Sequence, residues 1–510
     1  MTTRGGPAQL SPPPASSAVP HHPHPHLPPV VPKMHIAYLD GLRAVAVISV
    51  LVRHAWGLSG SPRIPLFGLD LRPIVVMLSS GVDLFFVLSG FLLARSFLRA
   101  RQTGQPAPRY SDYWRARIRR IGPPFWIVLV LVVLFMTPTF IPEGKVFSTE
   151  GLAIFLAHVP IMQTIYLPAF GAYPVETPFW TLTIEMIFYL TLPFMVQLFF
   201  GKRWIIFTPI LGAVALGWLY WVRNGADWLV AFENEKINVY PPFANEAIRF
   251  FLSHQFPAFL VDFSAGILAA VVVTSKKYRF KDSKLFQKLT SPTVGMIMFL
   301  IGLVALLAIM WVLGGLSLRH GYDNPLNYMY DDRRSDLVYY YFETIPFGIA
   351  YALILCGLAL GPNWLKGLFS LRGLAFLGVI GYSVYLLHMP ILYIVNRYEW
   401  VASDTDPSSH FLKLFLFGAP LIIAIAYCFY RVVERPSIAW SQKGRRIPPE
   451  APIDPPDAAD ASADVAPAVQ PVSGEASSIE TAGDRHAAAP ASPAAEPVLT
   501  PSGIGSGPAG

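Results

Sequence analysis

What most limits how this chain can fold is a succession of about ten apolar runs, each near the length that crosses a bilayer and joined by short, often basic links. They fall at roughly 36–57, 73–97, 123–142, 178–200, 204–222, 255–274, 292–315, 343–361, 371–396 and 411–433. A segment in hydrocarbon must satisfy its backbone hydrogen bonds internally, so each run predicts a helix. The expected fold is all-α: a polytopic integral membrane protein with about ten transmembrane helices. Composition agrees. The 510 residues are 53% hydrophobic and 14% charged, against about 25% charged in a soluble domain.

The basic residues decide orientation. Arg95, Arg99, Arg101, Arg109, Arg115, Arg117, Arg119 and Arg120 crowd the link between the second and third runs, which places it in the cytoplasm. Lys202 and Arg203, then Lys276, Lys277, Arg279 and Lys281, then Lys366 and Arg372, fall on the same side if 151–167 does not cross. That stretch is therefore expected to be re-entrant or interfacial. Both termini are then cytoplasmic. A net charge of +7 distributed this way is explained by membrane topology and needs no nucleic acid. Residues 1–33, rich in Pro, Ser and His, and residues 447–510, rich in Ala and Pro, are expected to be disordered tails, with no cleavable leader. Cys356 and Cys428 sit inside apolar runs as packing residues; no metal site is expected.

Within this frame a few polar side chains are costly and therefore informative. The first run, YLDGLRAVAVISVLVRHAW, carries Arg43 and His54 eleven residues apart. Eleven steps of about 100° return to one face, and the rise puts the two roughly 16 Å apart along the axis. Val47 and Val50 lie between them and leave room for a path. The second run, GVDLFFVLSGFLL, holds Asp83, a candidate partner for a histidine or for Arg43, and Ser89–Gly90, a small-residue packing step. Arg117 and Arg120, three apart before the third run, share a helical face and suit phosphate. The fourth run, PFWTLTIEMIFYLTLP, places Glu185 at a depth similar to His54, and the ninth, LGVIGYSVYLLHMPIL, places His388 in its outer half. Glu434 and Arg435 suggest an ion pair at the end of the last run.

Taken together, these stretches resemble the acyltransferase-3 family of bacterial integral-membrane acyltransferases. The match runs through LDGLRAVAVISVLVRH, GVDLFFVLSGFLL, RARIRRIGPPFW, FWTLTIEMIFYLTLP, LGVIGYSVYLLHMPIL and a closing ERP, across residues 38–436. The resemblance implies a ten-helix acyltransferase domain, here 34–446. It also implies an acyl-CoA donor, with acetyl-CoA the expected form and no metal, and a hydroxyl acceptor on a glycan, a lipid or a small molecule. Arg43 and His54 match the family's essential pair, Arg117 and Arg120 its arginine pair, and Glu185 its fourth-span carboxylate. Ala116, Thr181, Thr183, Met186 and Gly381 depart from the usual pattern, which bears on substrate more than on reaction class.

In the mechanism this implies, Arg43, Arg117 and Arg120 hold the donor's phosphates. His54 takes the proton of the acceptor hydroxyl, and Asp83 or Glu185 orients it. His388 is a substrate-contacting candidate. Direct transfer and an acyl-enzyme both fit. The competing class is a multi-pass transporter or flippase of a polar or glycan substrate. The lack of an internal repeat and the gathering of charge on the first span weigh against it. Tyrosines 322, 328, 330, 339, 340 and 341 in the long loop 316–342 are expected to form an interfacial belt.

Overall fold

The computed structural model describes residues 1–2, 36–136, 148–166, 169–170, 178–229, 249, 251–319, 343–402 and 405–442. The tails, apart from residues 1–2, and the loop tyrosines lie outside the described residues. What is described is almost wholly helical, apart from one two-residue hairpin, Pro65–Leu66 paired with Leu69–Asp70.

The membrane helices are α1 (Ala37–Leu58), α2 (Gly81–Thr103), α3 (Tyr110–Leu131), α4 (Trp180–Leu198), α5 (Trp204–Asn224), α6 (Leu260–Thr274), α7 (Pro292–Arg319), α8 (Thr344–Leu360), α9 (Arg372–Val379), α10 (Gly381–Asn396), α11 (Pro407–Phe429) and α12 (Arg435–Gln442). Eight helices or helix runs are long and apolar enough to cross, and ten spans result if each of two bent pairs counts as one. The protein is a multi-pass membrane protein.

Three expected spans differ in detail. The third begins at Tyr110 instead of near residue 123, because the arginine-rich stretch and Pro123–Pro124 are taken up in one helix. The eighth bends by 119° into Asn363–Phe369, and the ninth breaks by 74° between α9 and α10. Ile380, the residue between those halves, is followed by Gly381 and comes two residues after Gly378, which lies directly against the backbone carbonyl of Asp40. Close backbone approach at a glycine sets the kink. In 151–167 the helix covers only Thr149–His158, about 15 Å, half of what a crossing needs.

Lipid offers no hydrophobic force to bring helices together, so small residues must let their backbones meet. A Cβ on Gly90 of α2 would strike the carbonyl of Phe263, and one on Gly266 of α6 would strike that of Val87. This reciprocal contact packs α2 on α6. Beside it Phe188 of α4 stacks on Phe263 at 4.0 Å between centroids, and Phe86 packs on Phe259 and Phe263. α5 and α7 stand outside this centre, with Ile205, Ile206 and Ile210 on one and Ile301, Val304 and Val312 on the other exposed towards lipid.

Candidate functional site

Local sequence starts the site. α1 is a single uninterrupted helix, so the axial spacing of Arg43 and His54 is fixed by the helical rise. Both turn towards protein. Arg43 ion-pairs with Asp40, one turn back, at 2.7 Å, and has Arg120 and Tyr189 within electrostatic reach. His54 meets His388 of α10, with ring centroids 5.1 Å apart. The strip between them is filled: Val47 and Val50, expected to border a path, are 2% and 1% exposed.

Two backbone carbonyls define the tautomers of the histidine pair. His54 Nδ1 lies 2.8 Å from the Val50 carbonyl, and His388 Nδ1 lies 2.7 Å from the Tyr385 carbonyl. A carbonyl only accepts, so each neutral ring carries its hydrogen on Nδ1. His388 Nε2 then has a lone pair, and it stands 3.3 Å from His54 Nδ1. The Nδ1–H of His54 is thus shared between the Val50 carbonyl and His388 Nε2. His54 Nε2 is left with a lone pair and has no partner among the described residues.

Glu185 is elsewhere. It was expected at the depth of His54; instead its Oε1 accepts from Ser89 at 2.9 Å and from Tyr189 one turn on. It belongs with Arg117, whose guanidinium lies over the rings of Tyr113 (5.6 Å) and Tyr189 (5.7 Å). Arg117 Nε is buried without a hydrogen-bond partner, and neither Arg117 nor Arg120 reaches a carboxylate among the described residues. Ser89, read as packing, is therefore a hydrogen-bond donor, while its neighbour Gly90 does pack.

The expected Glu434–Arg435 pair is not formed. Adjacent helical residues point about 100° apart. Glu434 turns inward, 1% exposed, and accepts from Ser383 at 2.5 Å, while Arg435 is exposed. Arg120 and Arg43 lie within charge range of Glu434. Tyr382, beside Ser383, donates to the Ile121 carbonyl at 3.0 Å. One end of α10 thus closes over the arginine cluster, and Tyr385, His388's neighbour, bonds Thr181 of α4 at 2.6 Å.

Asp83 is not a partner of His54 either. Its carboxyl lies near that of Asp262 of α6, and both side chains are buried. Asp83 Oδ1 and both Asp262 carboxyl oxygens have no hydrogen-bond partner among the described residues.

The structure thus joins Arg43, Arg117, Arg120 and Glu185 in one neighbourhood and His54 with His388 in another, and leaves Asp83 in neither. The sequence reading missed Asp262, Ser383 and Arg53. Asp262 was visible by the same rule as Asp83, a carboxylate in an apolar run. Arg53, next to His54, is 4% exposed and donates Nε to the Val76 carbonyl at 3.0 Å, tying α1 to the short helix before α2; the sequence offered no sign of that. Among the described residues no group of three or more His, Cys, Asp or Glu could hold a metal.

The family model described as an acyltransferase domain (acyltransferase-3) matches residues 36–431. The peptidoglycan O-acetyltransferase OatA of Listeria monocytogenes is 28% identical over 194 residues, 36% of this chain and 28% of that protein. Nodulation protein 10 of Rhizobium leguminosarum bv. viciae is 27% identical over 270 residues, 50% of this chain and 63% of that protein. The O-acetyltransferase OatA of Staphylococcus aureus is 30% identical over 165 residues, 31% of this chain and 24% of that protein. Each match therefore spans less than two thirds of the relative's own length. No solved structure matches.

Proposed function

The chain belongs to the acyltransferase-3 family, and from that premise we propose that it is a membrane O-acyltransferase moving an acetyl group from acetyl-CoA to a hydroxyl of an envelope glycan, lipid or small molecule. The name of the Listeria relative favours a glycan of the peptidoglycan kind. The basic links favour an inner-membrane orientation with both termini in the cytoplasm, where acetyl-CoA is made.

The observation that carries this reading is the free Nε2 of His54 on a ring whose other nitrogen is held by the Val50 carbonyl. In the proposed reaction Nε2 takes the proton of the acceptor hydroxyl as its oxygen attacks the thioester carbonyl. The tetrahedral intermediate collapses, the C–S bond breaks, and the CoA thiolate leaves and takes up the proton from His54. Arg117 and Arg120, with no carboxylate partner among the described residues, would hold the donor's phosphates, with Arg43 alongside. Glu185 would keep Tyr189 against Arg117 and so shape that end of the site.

The test uses the full chain in lipid nanodiscs with acetyl-CoA and a soluble peptidoglycan disaccharide, reading CoA release and ester formation by mass spectrometry. Wild type is expected to form ester. His54→Ala is expected to lose at least the 10²–10⁴-fold that a general base contributes, with unchanged elution and thermal stability. Near-normal turnover by His54→Ala would overturn the proposal.

A further inference from the structure

We propose that His388 is the positioning residue of this site, holding His54 through its Nε2 lone pair in the place where a carboxylate would be expected. The inference rests on His54 being the base of the proposed reaction and goes beyond it by naming what orients that base. Neither carboxylate on the neighbouring helices performs this task. Glu185 is taken up by Ser89 and Tyr189, and Asp83 lies near Asp262 with no hydrogen bond to either histidine among the described residues.

The geometry makes the arrangement directional. His388 Nδ1–H donates to the Tyr385 carbonyl at 2.7 Å, so its Nε2 is an acceptor. His54 Nδ1–H points to that nitrogen at 3.3 Å and to the Val50 carbonyl at 2.8 Å. With two acceptors on Nδ1–H, the ring keeps the tautomer that leaves Nε2 basic. Both acceptors also stabilise the imidazolium that forms when Nε2 takes the acceptor's proton. The proton goes from the acceptor hydroxyl to His54 Nε2 and later to the departing thiolate. It does not pass to His388, and Nδ1–H stays on His54 throughout. His388 is itself held rigidly: it is 1% exposed, on a helix whose Tyr385 hydroxyl bonds Thr181.

Two readouts on the full-length protein in nanodiscs test the pair. Nitrogen-15 histidine NMR should show both rings protonated at Nδ1, with a scalar coupling across the His54 Nδ1–H···Nε2 His388 bond. A His54 ring protonated at Nε2, or no coupling, would overturn the inference. In the kinetic readout, with acetyl-CoA and the peptidoglycan disaccharide, His388→Leu should lower kcat about 100-fold, the scale of a misplaced catalytic group, with KM for acetyl-CoA within about twofold. His388→Gln puts an accepting oxygen near the Nε2 position and should restore kcat to within about tenfold of wild type. Equal losses in Leu and Gln, or a change confined to KM, would count against positioning. If His388→Leu fails to fold, the coupling and the Gln variant decide alone. If the wild type does not consume acetyl-CoA, the proposed function fails while the NMR still decides the histidine pair.

Discussion

Asp83 on α2 and Asp262 on α6 face each other as a carboxyl pair, close to the contact where Gly90 and Gly266 bring the same two helices together. Its expected contribution is to helix association. In Asp83→Asn the amide can donate to the remaining carboxylate, so ester formation should stay within about threefold of wild type. Asp83→Ala leaves Asp262 buried without its partner, which costs about 1–3 kcal/mol. Thermal unfolding of the purified variants, with turnover measured in parallel, checks both.

The Gly90 contact admits no side chain. Gly90→Ala should lower stability by about 1–3 kcal/mol through overpacking, because its Cβ would press on the Phe263 carbonyl, and backbone yields less than a side chain. Ala at Gly315, where a Cβ meets nothing, is the matched control and should unfold like wild type.

Arg117 stands over two tyrosine rings with no carboxylate to hold it. If it binds the donor, Arg117→Ala should raise KM for acetyl-CoA about 10- to 100-fold, the equivalent of one charge-assisted hydrogen bond of about 1.5–3 kcal/mol, with a smaller effect on kcat. Arg119 is instead stacked on Trp440 at 4.8 Å, and Arg119→Ala should leave KM unchanged. Initial-rate kinetics over a range of acetyl-CoA concentrations separate the two.

The neighbours Glu434 and Arg435 should behave oppositely. Glu434→Ala strands the Ser383 hydroxyl and removes a buried acid near Arg43 and Arg120, so it should cost about 1–3 kcal/mol. Arg435→Ala alters an exposed side chain and should stay within about 0.5 kcal/mol. Similar losses in both variants, seen by thermal unfolding, would favour the ion pair expected from the sequence.

Much of the site was legible in the sequence, because cost makes membrane-embedded polar groups conspicuous. Arg43, His54, Asp83, Glu185 and His388 all stood out against apolar runs. Which groups they meet did not. Ser89 looked like a packing residue because its neighbour is one, and the sequence does not show that its hydroxyl meets Glu185 across 96 positions. The straight ninth span failed as an expectation because composition cannot register a kink made by Gly378 lying on the backbone of α1.

By itself the sequence determined which runs are long and apolar enough to cross a bilayer and how far apart Arg43 and His54 stand along α1, because both follow from hydrocarbon thickness and helical rise, which are local quantities. The tertiary structure alone decided which groups touch: His54 with His388, 334 residues away, Glu185 with Tyr189 and Arg117, and Asp83 with Asp262. The way each helix is rotated and tilted against its neighbours is set by the summed packing of side chains distant in sequence, and no periodicity along one helix records it.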